Sequence, residues 1–274
     1  MSVYPENFLE GYSTFIAGGT SGINLGIAKL FGQLGAHVCV MSRSEDKVAA
    51  AVSEIEALNG SIKVAGFAAD VRDYEAVSAA LKAGSEAHGK FDIVVSGAAG
   101  NFMAPAAAMS ANAFKTVIDI DLLGTFNVLR AAFEVSKQPG ASFINISAPQ
   151  GAQPFFGQAH VCAAKAGIDM LTKCLATEWG MAGVRVNAIV PGPIDGTEGM
   201  ARLAPTPEAR KFVELSVPMR RYGTTDEIGN MAVYLGSEAA AYVTGCIHYC
   251  DGGQTLSGGG ALNPTLLMEM NSKK

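Results

Sequence analysis

Short runs of apolar residues, rich in Val and Ile, alternate along the chain with longer stretches in which apolar residues recur at helical spacing. A short, continuous apolar run is typical of a strand that is buried on both faces of a sheet. The predicted strands are residues 12–17, 37–42, 63–68, 93–96, 142–147, 184–190 and 246–250. The predicted helices are residues 23–34, 45–58, 74–87, 111–135, 159–181 and 226–235.

This alternation predicts an α/β fold with a single Rossmann-type, doubly wound parallel sheet of about seven strands. Right-handed crossover connections place helices on both faces of such a sheet. No segment has the composition of a linker, so we expect one domain over residues 1–274, with a substrate loop at about 195–216. Ligands of doubly wound sheets bind beyond the carboxyl ends of the strands, so the loops at those ends form the candidate site.

Composition supports a large buried core and argues against several classes of partner. Hydrophobic residues make up 49% of the 274 residues and charged residues 16%, which excludes a disordered chain. A net charge of −5 favours neither a nucleic acid nor an anionic membrane as a partner. The five cysteines lack zinc or redox spacing, so we expect reduced thiols, no metal site and a cytoplasmic location.

Neither end of the chain, nor its long uncharged segment, predicts a membrane or an organelle. Residues 1–10 carry two acids and no cationic region, so we expect no secretory signal. Residues 93–114 are uncharged, but Gly, Asn and Pro interrupt them, which favours a strand followed by a loop over a membrane span. Residues 271–274 do not form a peroxisomal Ser-Lys-Leu ending.

A glycine-rich stretch joins the first predicted strand to the first predicted helix. Its glycines have no side chain, so the backbone there can approach a pyrophosphate closely. The amide groups at the start of the helix supply hydrogen-bond donors and the positive end of a dipole. The residues predicted to bind the phosphates of a dinucleotide are Gly18, Thr20, Ser21, Gly22 and Asn24. A structural turn without a ligand is the alternative.

The end of the second predicted strand indicates which dinucleotide is bound. Sites that prefer NAD usually place an acid there, which binds both ribose hydroxyl groups. This chain has Ser42 followed by Arg43. A hydroxyl group and a guanidinium group suit a 2′-phosphate, so we predict NADP (NADPH) as the cofactor rather than NAD. The alternative is that Arg43 pairs with Glu45 or Asp46.

Three further loops at the same edge of the sheet are predicted to bind the cofactor. Asp70 and Val71 follow the third strand, where a carboxylate can accept from the adenine amino group. A helix cap at Asp70 is the alternative. Small residues after the fourth strand let a ribose lie against the backbone, and free amides follow the sixth strand. The predicted contacts in these last two loops are Ala98, Ala99, Gly100, Pro191, Gly192, Ile194 and Thr197.

Short strings spread over nearly the whole chain resemble the short-chain dehydrogenase/reductases. They are GGTSG at 18–22, DV at 70–71, AAG at 98–100, KAG at 165–167, RVN at 185–187, PGPI at 191–194 and YVTG at 242–245. Within that family, longer strings look most like the 2,4-dienoyl-CoA reductases of the peroxisomal type. These are AAGNF at 98–102, AFKTV at 113–117, DID at 119–121, GTFNV at 124–128, EWG at 178–180 and GTEG at 196–199.

The chain departs from the general family pattern where that pattern carries its chemistry. Val161 replaces the usual Tyr four residues before Lys165, and Ala148 replaces the usual Ser. Asp121 stands where an Asn is usual, and Asn24 replaces a third glycine. Without the Tyr and Ser hydroxyl groups, the reduction of a ketone lacks its central acid. The 2,4-dienoyl-CoA reductases also lack that Tyr, so the resemblance implies this loss.

The resemblance implies two catalytic residues. Lys165 is expected to orient the nicotinamide ribose and to add positive potential, and Asp121 to deliver or relay a proton through a water molecule. The alternatives are a solvated helix lysine and an aspartate in a surface ion pair. His160 is a second candidate acid or a packing residue. Asp119 is expected to be structural.

The resemblance also implies which residues contact an acyl-CoA substrate, namely Phe102, Ser110, Ala111 and Asn112. Ala148 and His160 are predicted to contact the substrate as well. Two of the residues that the resemblance implies have a simpler structural interpretation. Phe102 can be a loop aromatic that packs on the core, and Ser110 can be the N-cap of a helix.

The leading hypothesis is an oxidoreductase that uses NADPH to reduce a 2,4-dienoyl-CoA to a 3-enoyl-CoA in fatty-acid degradation. Hydride addition at C5 sends charge to the thioester oxygen, so the site must supply electrostatic stabilisation more than a strong acid. The alternatives are a reductase of 2-enoyl thioesters or other activated alkenes, and a catalytically silent dinucleotide-binding regulatory protein. The resemblance further implies a homotetramer that forms through the predicted helices 111–135 and 159–181.

Overall fold

The strands of the computed structural model, which describes residues 3–258, form one sheet at the centre of the protein. They are β1 (Ser13–Ala17), β2 (His37–Ser42), β3 (Val64–Ala68), β4 (Ile93–Ser96), β5 (Ser142–Ile146), β6 (Arg185–Pro191) and β7 (Ile247–Cys250). Their order in the sheet is β3-β2-β1-β4-β5-β6-β7, and every neighbouring pair is parallel. The predicted strands are confirmed to within one residue at each end.

The helices connect successive strands or follow them. They are α1 (Gly22–Gln33), α2 (Glu45–Glu56), α3 (Tyr74–His88), α4 (Ala111–Val117), α5 (Gly124–Val135), α6 (Ala159–Trp179), α7 (Glu198–Leu203), α8 (Pro207–Ser216) and α9 (Thr225–Gly236). Side-chain caps set several of the starts. Ser44, Asp73 and Thr224 each accept a hydrogen bond from a backbone amide group in the first turn of the helix that follows, which satisfies a donor that the helix itself cannot pair.

The sheet separates two apolar layers, because successive side chains of a strand point to opposite faces. On one face, Ile16 of β1 belongs to a cluster that includes residues of α1, α2 and α9. On the other face, Phe15 of β1 belongs to a cluster that includes residues of α3, α5 and α6. All the residues of β1 are buried. Burial on both faces explains why the strands have continuous apolar sequences.

Two segments differ from the sequence-based expectation. The single helix predicted over 111–135 is wrong, because a π-helical segment, Ile118–Leu123, separates α4 from α5. A segment of only six residues is too short for its different spacing of apolar residues to be recognised in the sequence. The segment expected as a loop at 195–216 contains two short helices, α7 and α8, whose caps are Thr197 and Thr206.

The uncharged segment 93–114 contains strand β4, irregular chain and the start of α4, as expected. Among residues 3–258, no helix is both long enough and apolar enough to cross a membrane. Within the same range, no three His, Cys, Asp or Glu side chains come together in a way that could hold a metal ion. Residues 271–274, and the ends of the expected domain at 1–2 and 259–274, lie outside the described residues.

Candidate active site

A cleft opens at the carboxyl ends of the strands, where two cavities lie side by side. The first has a volume of about 330 Å³ and lies against the glycine-rich turn and the ends of β2 and β3. The second has a volume of about 500 Å³ and lies against the ends of β5 and β6, α6 and α7. Both are lined by Ser21, Asn24, Gly97 and Ala99. The site is therefore one elongated cleft at the edge where doubly wound sheets bind their ligands.

The turn between β1 and α1 has the shape of a phosphate cradle. Gly18 has a φ of +78°, and a Cβ atom there would lie 2.8 Å from the Ala98 amide nitrogen. Ser21 precedes α1 without a side-chain capping bond, and the first turn of α1 carries no acid. The first amide groups of the helix therefore have no side-chain acceptor at the place where an anion would bind.

We expect Gly18→Ala to damage both folding and cofactor binding. The substitution introduces a left-handed backbone conformation for a non-glycine residue and a contact with Ala98 that only a backbone shift can relieve. The expected cost is about 2 kcal/mol or more, or roughly 4 °C or more in melting temperature. Calorimetry and NADPH titration measure the two effects. Gly60→Ala is the matched control, because nothing lies within 4 Å of a Cβ there, and equal behaviour of the two variants would contradict the cradle.

Asn24, which stands in place of a third glycine, joins α1 to the end of β4. Its amide nitrogen donates to the Gly97 carbonyl oxygen at 2.7 Å, while its buried Oδ1 atom has no hydrogen-bond partner among the described residues. A Cβ atom on Gly97 would lie 2.3 Å from that Oδ1 atom. Asn24 lines both cavities, but its unsatisfied atom is a buried acceptor packed on Gly97, so the side chain supports the end of β4 and offers that atom to no phosphate oxygen.

The end of β2 presents the two groups that suggest a 2′-phosphate. Ser42 and Arg43 both line the first cavity. The Ser42 hydroxyl group is buried and has no hydrogen-bond partner within residues 3–258. Arg43 is exposed, and in the same range no ion pair joins it to Glu45 or Asp46. The alternative in which Arg43 is held by a neighbouring acid is therefore wrong.

Asp70 lines the same cavity, but its carboxylate already has a partner. Arg72 donates to both of its oxygens, with Nε 3.0 Å from Oδ1 and NH2 2.6 Å from Oδ2. This hydrogen bond holds the pKa of the Asp70 carboxyl group below its usual range. Asp73, not Asp70, caps α3, so the cap interpretation of Asp70 is wrong. Val71 and Ala98 line the cavity beside it.

The loop after β6 forms the opposite wall of the cleft. Pro191, Gly192, Ile194 and Thr197 all line the second cavity. The Thr197 hydroxyl group donates to the Ile194 carbonyl oxygen at 2.9 Å and accepts from the first turn of α7. A Cβ atom on Gly22 would lie 3.7 Å from the Thr197 methyl group. The loop therefore lies close to the glycine-rich turn, and the two together close this end of the cleft.

A buried pair of opposite charges lies in the second cavity. Asp121 has no exposed surface and Lys165 has 6%, and Lys165 Nζ is 3.5 Å from Asp121 Oδ2. Lys165 Nζ also donates to the Ile146 carbonyl oxygen at 3.1 Å, while the Gly100 amide group donates to Asp121 Oδ1 at 2.7 Å. Lys165 comes from α6 and Asp121 from the π-helical segment. The π-helical segment thus carries a functional candidate, as such segments often do.

The electrostatics of the pair favour a carboxyl group that can hold a proton. Burial raises the pKa of the Asp121 carboxyl group, and the Lys165 ammonium group, the Gly100 amide group and His160 oppose that rise. A carboxyl group whose pKa is raised by burial, close to a positive charge, is a candidate to take up and release a proton. The interpretations of Lys165 as a solvated lysine and of Asp121 as a surface aspartate are both wrong.

The two positions that lack the family hydroxyl groups are apolar in the structure. Val161 is 3% exposed and packs in a small cluster with Val117 and Ala164, and both Val161 and Ala148 line the second cavity. Packing thus occupies the place of the missing Tyr. Neither position can donate a hydrogen bond to a substrate, so Asp121 and Lys165 are the ionisable groups at this wall of the cavity.

His160 is buried and stacks against Phe102, with ring centroids 4.2 Å apart. Neither ring nitrogen has a hydrogen-bond partner of normal geometry within residues 3–258, although the Phe102 backbone is close enough to raise the pKa of the imidazole. Burial lowers the pKa of the imidazole, although Asp121 opposes this shift, so the neutral form is favoured. Among the described residues, neither ring belongs to the lining of the two cavities. Their geometry supports packing rather than proton transfer.

The other predicted substrate contacts lie at the start of α4. The Ser110 hydroxyl group accepts from the Ala113 amide group at 3.1 Å and so caps the helix, which confirms the structural interpretation. Ala111 and Asn112 are exposed on the first turn. Asp119 pairs with Lys115 one turn earlier in the chain, in agreement with a structural role. A bound acyl-CoA would have to extend beyond the second cavity to reach these residues.

Sequence analysis missed two parts of the second cavity. One is an apolar wall formed by Met103, Phe155, Phe156, Met200, Leu203 and Val213. The other is a chain of amides in which Gln150 donates to Gln158, and Gln158 donates to Asn101, each at 2.9 Å. The pair of aromatics after Pro154 was a signal for the wall. The amide chain carries no such signal, because it joins the connection between β5 and α6 to Asn101 in the loop after β4.

Comparison with known proteins agrees with this geometry. The family described as Enoyl-(Acyl carrier protein) reductase matches residues 17–255. A short-chain type dehydrogenase/reductase of Mycobacterium ulcerans superposes with a TM-score of 0.84 at 31% identity, over 90% of each chain. The protein therefore belongs to the short-chain dehydrogenase/reductase family.

Within that family, the chain is similar to proteins that carry one name. It is 41% identical to the peroxisomal 2,4-dienoyl-CoA reductase of Rattus norvegicus, over 99% of this chain and 93% of the relative, and that relative is named as producing a (3E)-enoyl-CoA. It is 38% identical to a Bacillus subtilis protein named "Probable 2,4-dienoyl-CoA reductase", over 91% of this chain and 98% of that relative. The Bacillus protein is named as producing a (2E)-enoyl-CoA.

The cleft fits the dinucleotide, NAD or NADP, that the family binds. The observations that support this fit are the cradle at Gly18, the acceptor-free amides of α1 and the unpaired, buried Ser42 hydroxyl group. A side chain at Gly18 would fill the cradle. The first cavity accordingly suits the adenine and phosphate parts, and the second cavity suits the nicotinamide beside Lys165.

Proposed function

We propose that the protein uses NADPH to reduce a 2,4-dienoyl-CoA to a 3-enoyl-CoA. The observation that carries this proposal is the buried pair of Asp121 and Lys165 in a cavity where Val161 and Ala148 replace the family's hydroxyl donors. The names of the relatives at about 40% identity support it. A conjugated thioester suits the pair, because its reduction needs a stabilised oxyanion and one mobile proton.

The proposed chemistry separates hydride addition from protonation. Bound NADPH would supply the hydride that adds to C5 of the substrate. The electron pair then moves through the double bonds to the thioester oxygen, and the positive potential of Lys165 stabilises the resulting dienolate. A proton from the Asp121 and Lys165 pair, passed through a water molecule, adds to the α carbon and leaves a double bond between C3 and C4. Protonation at C4 would instead leave the 2-enoyl product.

We propose that the sequence-predicted residues hold the cofactor in two groups. The adenine and phosphate end lies against Gly18, Thr20, Ser21, Asn24, Arg43, Asp70, Val71 and Ala98, all of which line the first cavity. The nicotinamide end lies against Gly22, Ala99, Gly100, Lys165, Pro191, Gly192, Ile194 and Thr197, all of which line the second. The charge on Arg43 favours the 2′-phosphate of NADPH.

We expect Arg43→Asp to raise the KM for NADPH by about tenfold or more, because a charge-assisted contact is replaced by repulsion. The KM for NADH should fall, since an acid at the end of β2 can bind ribose hydroxyl groups. Steady-state kinetics with both cofactors measure the change. Lys82→Asp on the exposed side of α3 is the matched control. An unchanged KM for NADPH would remove Arg43 from the site.

The test of the proposed function is direct. Purified protein is mixed with NADPH and 2,4-hexadienoyl-CoA or 2,4-decadienoyl-CoA, and the loss of both absorbances is followed, with a 2-enoyl-CoA and a 3-oxoacyl-CoA in parallel. Turnover of the dienoyl substrates alone is the expected result. Product analysis by NMR then distinguishes a 3-enoyl from a 2-enoyl thioester, on which the names of the relatives differ. Turnover of the 3-oxoacyl substrate would contradict the interpretation of Val161 and Ala148.

The same assay separates the two alternative functions. Reduction of the 2-enoyl-CoA in preference to the dienoyl-CoA would favour the enoyl thioester reductase, an activity named in the family description. NADPH binding without turnover of any of the three substrates would favour a silent regulatory protein. The buried pair of Asp121 and Lys165 argues against a catalytically silent protein. A buried ion pair contributes little net stability, so a purely structural role would not explain it.

We further propose a cytoplasmic homotetramer that forms through α5 and α6. Large apolar side chains on or beside these helices are exposed, with Phe126 at 42% and Met170 at 58%, and such patches mark interfaces. Sedimentation of the wild type and of Phe126→Glu tests the assembly.

The free cysteines are compatible with a reducing compartment. The rat relative is named as peroxisomal, so fractionation of cells must decide the compartment.

A further inference from the structure

A second acid lies behind the proposed catalytic pair. Asp169 follows Lys165 by one turn of α6, so the two residues share a face of that helix. The Asp169 residue is 9% exposed, and its Oδ1 atom has no hydrogen-bond partner of normal geometry among residues 3–258. Asp169 does not belong to the lining of the cavities described above. A buried carboxylate of this kind needs partners to offset the loss of water.

The complementary group is the hydroxyl of Ser147. Ser147 directly follows β5 and is 3% exposed, and its Oγ atom also lacks a partner of normal geometry in the described chain. The Ser147 hydroxyl group lowers the pKa of the Asp169 carboxyl group, against the rise that burial causes. A hydroxyl group donates and a carboxylate accepts. Ser147 is therefore the hydroxyl group that acts on the Asp169 carboxyl group, although the two do not form a hydrogen bond of normal geometry.

The other oxygen of the same carboxylate packs on the turn that follows β5. A Cβ atom on Gly151 would lie 2.5 Å from Asp169 Oδ2, so the carboxylate lies directly against the backbone of the short helix Pro149–Gly151. Ala148, between these two contacts, lines the second cavity. Asp169 thus interacts with both ends of residues 147–151, the segment that forms this wall of the second cavity.

This segment begins where Lys165 is held. The hydrogen bond from Lys165 Nζ to the carbonyl oxygen of Ile146, the last residue of β5, measures 3.1 Å, and the distance from Nζ to Asp121 Oδ2 is 3.5 Å. Lys165 and Lys173 lower the pKa of the Asp169 carboxyl group. Two carboxylates therefore interact electrostatically with Lys165. Asp121 lies on the cavity side, and Asp169 lies behind the end of β5.

We propose that Asp169 is a positioning residue of the catalytic centre. Its carboxylate, packed on the backbone at Gly151 and acting on the Ser147 hydroxyl group, holds the end of β5 in the place from which the Ile146 carbonyl oxygen orients Lys165. The kinetic part of this inference rests on the proposed function, and the part that concerns how Lys165 is held does not.

The variants Asp169→Asn and Ser147→Ala test the proposal. Asn keeps the size of the side chain and an acceptor for Ser147, but it removes the charge. We expect kcat to fall by about tenfold in each variant, because small displacements of a catalytic group are costly, while the KM for NADPH stays within about twofold. The double variant should lose little more than either single variant, since both remove one interaction. Glu54→Gln, which affects a half-exposed pair with Lys29, is the matched control.

Acetylation of Lys165 supplies a readout that is independent of the reaction. At fixed pH and without substrate, mass spectrometry after acetic anhydride treatment should show Lys165 labelled about threefold faster or more in Asp169→Asn, because a displaced end of β5 no longer holds Nζ in its hydrogen bond to the Ile146 carbonyl oxygen. Wild-type rates of labelling and turnover in both single variants would overturn the proposal. If the wild type does not reduce a dienoyl-CoA, the proposed function fails, but the labelling result still decides the role of Asp169.

Discussion

Lys165→Ala is expected to lower kcat for a 2,4-dienoyl-CoA by about 10²-fold or more. The substitution removes the positive charge that would stabilise the dienolate and replaces it with no other charge. It also removes the proposed contact with the nicotinamide ribose, so the KM for NADPH should rise as well. Steady-state kinetics at saturating NADPH isolate the effect on kcat. Lys90→Ala, at the opposite end of the sheet, is the control, and near-normal turnover of Lys165→Ala would exclude it as a catalytic residue.

The same substitution should make stability depend on pH. Burial raises the pKa of the Asp121 carboxyl group above its usual value of 3.8, and Lys165 opposes the rise. Without Lys165, the folded-state pKa rises further. An acid with a raised folded-state pKa contributes most stability below its unfolded-state pKa, and that contribution is lost as the pH rises through the folded-state value. The melting temperature of Lys165→Ala, relative to the wild type, should therefore be lower at about pH 8 than at about pH 5.

The double variant Lys165→Ala/Asp121→Asn is the control for this pH effect. Asparagine does not titrate, so the additional pH dependence should disappear. If it persists, another group is responsible. His160 is the first candidate, because it interacts with Asp121 from the start of α6.

Asp121→Asn is the second variant with a large expected effect, and we expect kcat to fall by about 10²-fold. The Asn side chain can still accept from the Gly100 amide group, as Asp121 Oδ1 does at 2.7 Å, so the loop after β4 should keep its position. The amide cannot hold the proton that the product needs. The KM for NADPH should change by less than about threefold, which separates lost proton transfer from lost cofactor binding.

Asp119→Asn is the matched control, because Asp119 lies two residues earlier and pairs with Lys115 instead. A normal kcat in Asp121→Asn would contradict the proposed role. A loss of activity in His160→Gln under those conditions would then transfer the role of acid to His160, even though its ring lies outside the cavity linings described here and packs on Phe102. The three variants together identify the residue that supplies the proton.

The candidate site was predictable from sequence where one short segment supplies the geometry. The glycine-rich turn, the Ser42 and Arg43 pair and the loop after β6 all line the cleft as predicted. The substrate contacts at Phe102, Ser110 and His160, which were inferred from resemblance to a family and not from a local pattern, stay a prediction. Ser110 caps a helix, and Phe102 and His160 stack on each other instead of lining either cavity.

The sequence by itself determined the strands, the order of the helices and the phosphate turn. Continuous apolar runs are read locally, because a strand buried on both faces must be apolar at every position. Backbone freedom at Gly18 is likewise a property of one residue. Right-handed crossovers then restrict the topology, so the parallel sheet followed from the alternation of strands and helices.

Only the tertiary structure decided which groups meet. The π-helical segment Ile118–Leu123 turns Asp121 toward Lys165 of α6, and no periodic pattern in the sequence records that change. The contacts of Asp169 with Ser147 and Gly151 depend on how α6 packs against the end of β5. Periodicity indicates which face of an element is buried. The distances between side chains of separate elements depend on the packing of the whole core, and those distances set the charge and proton affinity of the site.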